Sequence, residues 1–173
     1  MNLRVELVPD VLDDRALLSD LIDIWTDVSN AGGAVGFVPP VTRGQVEEIA
    51  LHAFAATSSG DHLVVAFDAD RPVGFCFLAR RPGPLFKHWV TIKRLQIRPE
   101  LQGKGLGGQV LQEIHTIAVE RLDLEQIHLT VRGGTGTEAF YERHGYEIVA
   151  RIPDVIRVAP DDTREEIYMV KRL

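Results

Sequence analysis

The chain has 173 residues, 45% apolar and 25% charged, with 19 basic against 25 acidic side chains and a net charge of −6. This balance describes one domain with a full core and excludes a protein whose affinity comes from neutralising nucleic-acid phosphates. The single cysteine, Cys76, permits no intrachain disulfide and no cysteine cluster for a metal, no leader-like apolar segment opens the chain, and no apolar run approaches the ~20 residues that span a bilayer.

A cytoplasmic protein is therefore expected, with neither nucleic acid nor membrane as partner. Residues 1–60 carry three basic side chains, Arg4, Arg15 and Arg43, against nine acidic ones, whereas residues 61–173 carry sixteen of each. Leu3 to Val8 alternates apolar and polar residues and predicts a strand closed by Pro9-Asp10. From Asp13 to Ser29, Leu17, Leu21, Ile24, Trp25 and Val28 recur at helical spacing, with Asp20, Asp23 and Asp27 on a neighbouring stripe. Glycines and prolines over residues 30–40 end that helix, and Thr42 to Gln45 has capping-box spacing for a second one reaching about Thr57.

Asp61–Phe67 and Val73–Ala79 read as a hairpin across the turn-prone 68–72. In the strand that follows, Phe86, Val90 and Ile92 share one parity and Leu95 and Ile97 the other, so an ideal strand cannot bury both sets. One extra residue near Lys93-Arg94-Leu95, a β-bulge, reconciles them. A helix is predicted over Gly103–Arg121 and a strand over Ile127–Val131. That strand, helix, strand order implies parallel pairing and a ligand site beyond the carboxyl end of the first strand. A short helix over Glu138–His144 and strands near Tyr146–Ile152 and Glu166–Val170 complete an α+β chain.

Between the bulged strand and its helix lie Gly103, Gly105, Gly107 and Gly108. Glycine inside a helix costs about 1 kcal/mol against alanine, and such a cluster at a helix start is explained by a phosphate approaching free backbone amides. Gly103, Gly105 and Gly108 also satisfy the dinucleotide fingerprint, but four residues separate the first glycine from the strand and about 70 remain afterwards, too few for the rest of that fold. A P-loop fails because Gly105, not Ser or Thr, follows Lys104.

Gln102, Gly105 and Gly107 instead match the signature of the GNAT superfamily of N-acetyltransferases, and Phe140-Tyr141-Glu142-Arg143-His144-Gly145-Tyr146 is similar to a second element of that family; together they cover roughly residues 60–151. Gly32 to Phe37, Glu138 to Tyr141 and the segment through Asp154 to Thr163 also resemble the tabtoxin-resistance and antibiotic acetyltransferase branch. The resemblance implies a mixed, mostly antiparallel sheet with a central parallel splay and helices on both faces, divided into acceptor-side helices over 1–60, an acetyl-CoA-binding core over 61–151 and a C-terminal strand region over 152–173. It implies acetyl-CoA as acyl donor, held by backbone groups of Leu95, Gln96 and Ile97 and by the turn formed by Gln102, Gly103, Lys104, Gly105, Leu106, Gly107 and Gly108.

By the same resemblance, Tyr141 is the general acid toward the CoA thiolate. The position where many relatives carry a glutamate base is Thr91, Thr130 is no carboxylate, and Gly134 stands where asparagine is common, so the base is unassigned, with His88 or an ordered water as substitutes. The acceptor side holds the excess acid, which implies a small amine-bearing, cationic or antibiotic-like acceptor lined by Trp25, Gly36, Phe37 and Thr91. No histidine pair has metal-ligand spacing, and none is expected to bind metal. A homodimer fits this reading, and an acyl-CoA sensing domain or a peptide N-acetyltransferase are its alternatives. Cys76, inside an apolar run, is read as core.

Overall fold

The computed structural model describes residues 2–173. Its elements run β1 (Leu3–Val8), α1 (Arg15–Asn30), α2 (Arg43–Ala55), β2 (His62–Asp68), β3 (Arg71–Ala79), β4 (Trp89–Ile97), α3 (Leu106–Glu120), β5 (Gln126–Arg132), α4 (Thr137–Glu142), β6 (Glu147–Ala159) and β7 (Asp162–Arg172). The strands form one sheet in the order β1-β2-β3-β4-β5-β7-β6, antiparallel except where β4 lies beside β5. No helix among the described residues is long and apolar enough to cross a membrane.

Two-residue alternation along the strands feeds two cores. Leu63, Val65, Phe75 and Phe77 face α1 and α2, whose Leu21, Trp25 and Phe54 are fully buried. Val64, Cys76 and Leu78 face α3 and α4 on the other side. The result is the helix, sheet, helix layering of the mixed α+β class. Caps set the starts of α1 and α2: Asp14 accepts from the Leu17 amide at 3.0 Å, and Thr42 and Gln45 close a reciprocal capping box.

The bulge lies where the alternation requires it. Phe77 pairs with Lys93 and Phe75 with Gln96, so Cys76 alone on β3 opposes both Arg94 and Leu95 on β4. Arg94 sits in the left-handed region at φ +55°, and the extra residue returns Leu95 and Ile97 to the face already occupied by Ile92. Beyond Ile92↔Leu129 the parallel pairing of β4 and β5 stops. From there β4 follows β3 and β5 follows β7, which leaves a V between them.

Three expectations need correction. Phe86 belongs to a 3-10 turn over Pro84–Phe86, because a proline with fixed φ opens a helical turn more readily than it joins a strand. The long helix begins at Leu106 instead of Gly103, since Gly103 and Gly105 both hold positive φ. The C-terminal strands are much longer than read and form a ribbon through residues 152–162. Pro153, which looks like a breaker, is tolerated because β6 is an edge strand.

Candidate active site

The V between β4 and β5 is a cleft of about 330 Å³. Ile92 and Leu129, the last paired residues, lie at its base. Arg94 to Ile97 form one wall and Thr130 to Arg132 the other, while Gly33 to Val35 close the α1 side and Gln102, Gly107, Phe140 and Tyr141 the α3 side. Neither a carboxylate nor a histidine is among its lining residues.

The turn into α3 borders this cleft, with Gln102 and Gly107 among the lining residues and Gly103 to Leu106 and Gly108 outside them. Gly105 is the N-cap residue at φ +80° and no side chain caps the helix, so the amides of its first turn keep their hydrogen-bonding capacity and the positive end of the helix dipole. Gly103 stands at φ +73°, and a Cβ at either glycine would meet nothing within 4 Å. An uncapped 15-residue helix behind an open glycine turn, beside a cleft of this size, fits the diphosphate and pantetheine arm of a coenzyme A thioester. Gln102 braces this turn: its Nε2 donates to the Ile97 carbonyl at 2.8 Å, tying the loop to the end of β4.

The sequence model of the acetyltransferase (GNAT) domain matches residues 59–148, the stretch that holds the bulge, the turn and Tyr141. The chain belongs to the GNAT acetyltransferase family. Three solved structures share its fold over nearly the whole length. A protein assigned as a phosphinothricin N-acetyltransferase superposes with a TM-score of 0.81 at 19% identity, covering 99% of each chain. The ribosomal-protein-alanine N-acetyltransferase of Brucella melitensis gives 0.75 at 18%, covering 98% of this chain and 99% of the other. YncA of Salmonella typhimurium, solved with its cofactor acetyl-CoA, gives 0.74 at 16%, covering 100% and 95%. The donor of the GNAT acetyltransferase is acetyl-CoA.

Within the acetyltransferase, Leu95, Gln96, Ile97, Gln102 and Gly107 reach the cleft together with Tyr141. Leu106 does not line the cleft, its side chain being core. Lys104 is exposed and donates its Nζ to the Glu100 carbonyl at 2.8 Å, within its own loop. Gly108 makes room for protein: a Cβ there would sit 2.7 Å from His144 Nε2. Tyr141 is buried between Phe140 and Tyr146 at ring distances of 5.0 and 5.4 Å. Burial, with the nearby Cys76 adding to it, pushes its phenol well above the ordinary range, so it stays protonated.

The predicted acceptor wall is where the structure disagrees. Trp25 is fully buried in the α1 and α2 core, its Nε1 donating to the Val35 carbonyl at 2.9 Å; a large apolar ring on the inner stripe of α1 goes to the core. Thr91 is half-buried in the paired part of β4, opposite Ala79 and His128, and does not line the cleft. Gly36 and Phe37 line a neighbouring groove that shares Thr130 to Arg132 with the cleft and is closed by Ile156 to Val158 of the ribbon. His88 lies in a separate depression with Arg80 and Lys87. Of the acidic stripe, Asp23 pairs with Arg43 at 2.7 Å and Asp20 with Arg98 at 3.6 Å, and none of Asp20, Asp23 and Asp27 lines the cleft. Sequence reasoning missed Arg94, Arg132 and the Gly33 to Val35 loop as lining groups; the bulge placed Arg94 near the site, but not the direction its side chain takes.

Proposed function

We propose that the acetyltransferase carries an acetyl group to the primary amine of a small molecule by direct attack, with no acyl-enzyme. The observation that carries this reading is the composition of the cleft: it offers one protonated phenol and no cysteine, serine, carboxylate or imidazole, its two other hydroxyls, Thr130 and Thr137, having no base among the lining residues to activate them. Cys76, the one thiol, is fully buried in the core and burial pushes its pKa far up, so it is neither reachable nor ionised. When bound, acetyl-CoA supplies the thioester whose C–S bond breaks as the amine nitrogen forms the new C–N bond, the amine losing one proton and the thiolate gaining one.

The protein's own contributions follow from position. The first-turn amides of α3 hold the diphosphate end, and the side of β4 beyond Ile92 that faces the V has no strand partner, leaving backbone donors there for the pantetheine amides and the developing oxyanion. Tyr141 holds the proton that the departing sulfur needs. With no carboxylate or imidazole lining the cleft, the amine enters as the neutral base. Initial-rate kinetics with acetyl-CoA and an amine panel, with mass spectrometry of the products, test the reading. Intersecting double-reciprocal lines and N-acetylated small molecules are expected. Parallel lines with an acetylated protein would overturn direct attack.

A further inference from the structure

Arg94 is the unusual group in the cleft. It stands at the bulge, half-buried, and its guanidinium carbon lies 4.8 Å from the centroid of the Trp25 ring. The ring is itself held by the Val35 carbonyl, and the loop packs close behind: a Cβ on Gly36 would stand 3.5 Å from Arg94 Nε. Stacking fixes the plane of a guanidinium but satisfies none of its five N–H donors. Among the described residues no carboxylate pairs with Arg94. Arg132, on the far wall, also forms no ion pair among these residues, but it is the register partner of Glu166 and its charge contributes to lowering the pKa of Asp162, so it has carboxylates in its surroundings that Arg94 lacks.

A second group at the same place is also left without a partner. Gln96, 2% exposed and part of the cleft wall, has neither its amide nitrogen nor its amide oxygen hydrogen-bonded. A partly desolvated cation and a buried, orphaned amide on the same cleft wall are costly in a protein that leaves them so. Burial lowers the pKa of Arg94 with no opposing carboxylate, though a guanidinium remains charged throughout the working range. An anion entering the cleft supplies the counter-charge that the protein itself does not.

We infer that the acceptor is an anionic amine, a small molecule bearing a carboxylate-like oxyanion as well as its amino group, and that Arg94 recognises that oxyanion. This rests on the small-molecule amine reading above and narrows it to amino-acid chemistry. The planar fork of the guanidinium matches a carboxylate bidentately. With the donor phosphates on the α3 amides, as proposed above, the anion that meets Arg94 belongs to the acceptor.

The test compares L-amino acids with their carboxamides and with linear polyamines as acceptors, using wild-type protein and the Arg94→Gln and Arg94→Lys variants. Carboxamides present more of their amine in the neutral form near neutrality, so a preference for the acids runs against nucleophile availability. Wild type is expected to favour acids over matching amides in kcat/KM on the order of 100-fold. Arg94→Gln removes that preference and Arg94→Lys restores part of it, with the KM for acetyl-CoA unchanged. Equal or reversed preference in the wild type, or a variant that changes the KM for acetyl-CoA instead of the acid-to-amide ratio, overturns the inference while acetyl transfer to amines stands. Acetyl-CoA binding by calorimetry with no acetylation in any arm overturns the small-molecule reading and this inference with it. The wild-type comparison decides the matter even if Arg94→Gln does not fold.

Discussion

Replacing Gly107 by alanine separates donor binding from folding. Gly107 is the second residue of α3, lies on the cleft, and does not require positive φ. A Cβ built there stands 3.7 Å from Phe140 Cζ and 4.0 Å from Ile97 Cγ1, ordinary van der Waals contact, so the folded protein accepts the methyl. Alanine in place of helical glycine adds up to about 1 kcal/mol, which raises Tm by roughly 2–4 °C in a domain of this size. The same methyl projects between two cleft-lining side chains, where it narrows the approach of the donor to the proposed diphosphate site. Losing one amide-to-phosphate hydrogen bond, worth about 1.5–3 kcal/mol, weakens coenzyme A binding by roughly 10- to 150-fold. Thermal scanning and titration calorimetry read the two effects independently. Gly105→Ala is the complement: it meets open space, yet its φ of +80° costs alanine about 1–2 kcal/mol, so that variant melts lower. A Gly107→Ala protein that folds and binds coenzyme A with unchanged affinity would refute the placement of the diphosphate on this turn.

Four further outcomes follow from the same geometry. Tyr141→Phe keeps the ring packing and removes the proton donor, so kcat falls on the order of 100-fold while the KM for acetyl-CoA holds; an unchanged kcat at every pH removes Tyr141 from the chemistry. Because no titratable base lines the cleft, the acidic limb of kcat/KM tracks the amine pKa of each acceptor, which a series of acceptors of graded basicity checks. Neutralising Asp20, Asp23 and Asp27 together leaves acceptor KM unchanged at low and high ionic strength, since two of them serve ion pairs outside the cleft; a large rise would restore the acid wall. His115, buried against the Tyr146 hydroxyl at 3.0 Å, is lowered from 6.5 to about 4 by burial and by the nearby Lys171 and His144 charges. It is neutral in the fold, so the unfolded chain binds the extra proton; stability is full above pH 6.5 and declines toward about 4, by at most about 1.4 kcal/mol per pH unit. Urea midpoints through that window, flattened by His115→Gln, measure it.

The bulge and the glycine turn were legible because their physics is local. A parity break between Ile92 and Leu95 has few explanations in a strand, and glycines packed into a helix start have few explanations other than an approaching anion. Both features concern the backbone, whose constraints a sequence states directly. The long ribbon was less legible, because Pro153 and Asp154 look like breakers unless one knows that β6 is an edge strand, and strand order is a property of the whole sheet.

The acceptor half was misread for a different reason, and charge is where the error lay. Counting side chains along residues 1–60 gives an excess of acid, but a count does not say which carboxylates are already engaged. Asp23 and Asp20 are drawn to Arg43 and Arg98, one on the next helix and one at the end of β4. The cation that matters, Arg94, comes from the segment whose charges balance. A one-residue bulge turns its chain onto Trp25, and the ring once assigned to the acceptor wall becomes the platform that aims the arginine. Formal charge in a segment therefore bears on function only after pairing is subtracted. In this cleft the subtraction leaves positive charge, and the chemistry of the acceptor should be sought from that sign.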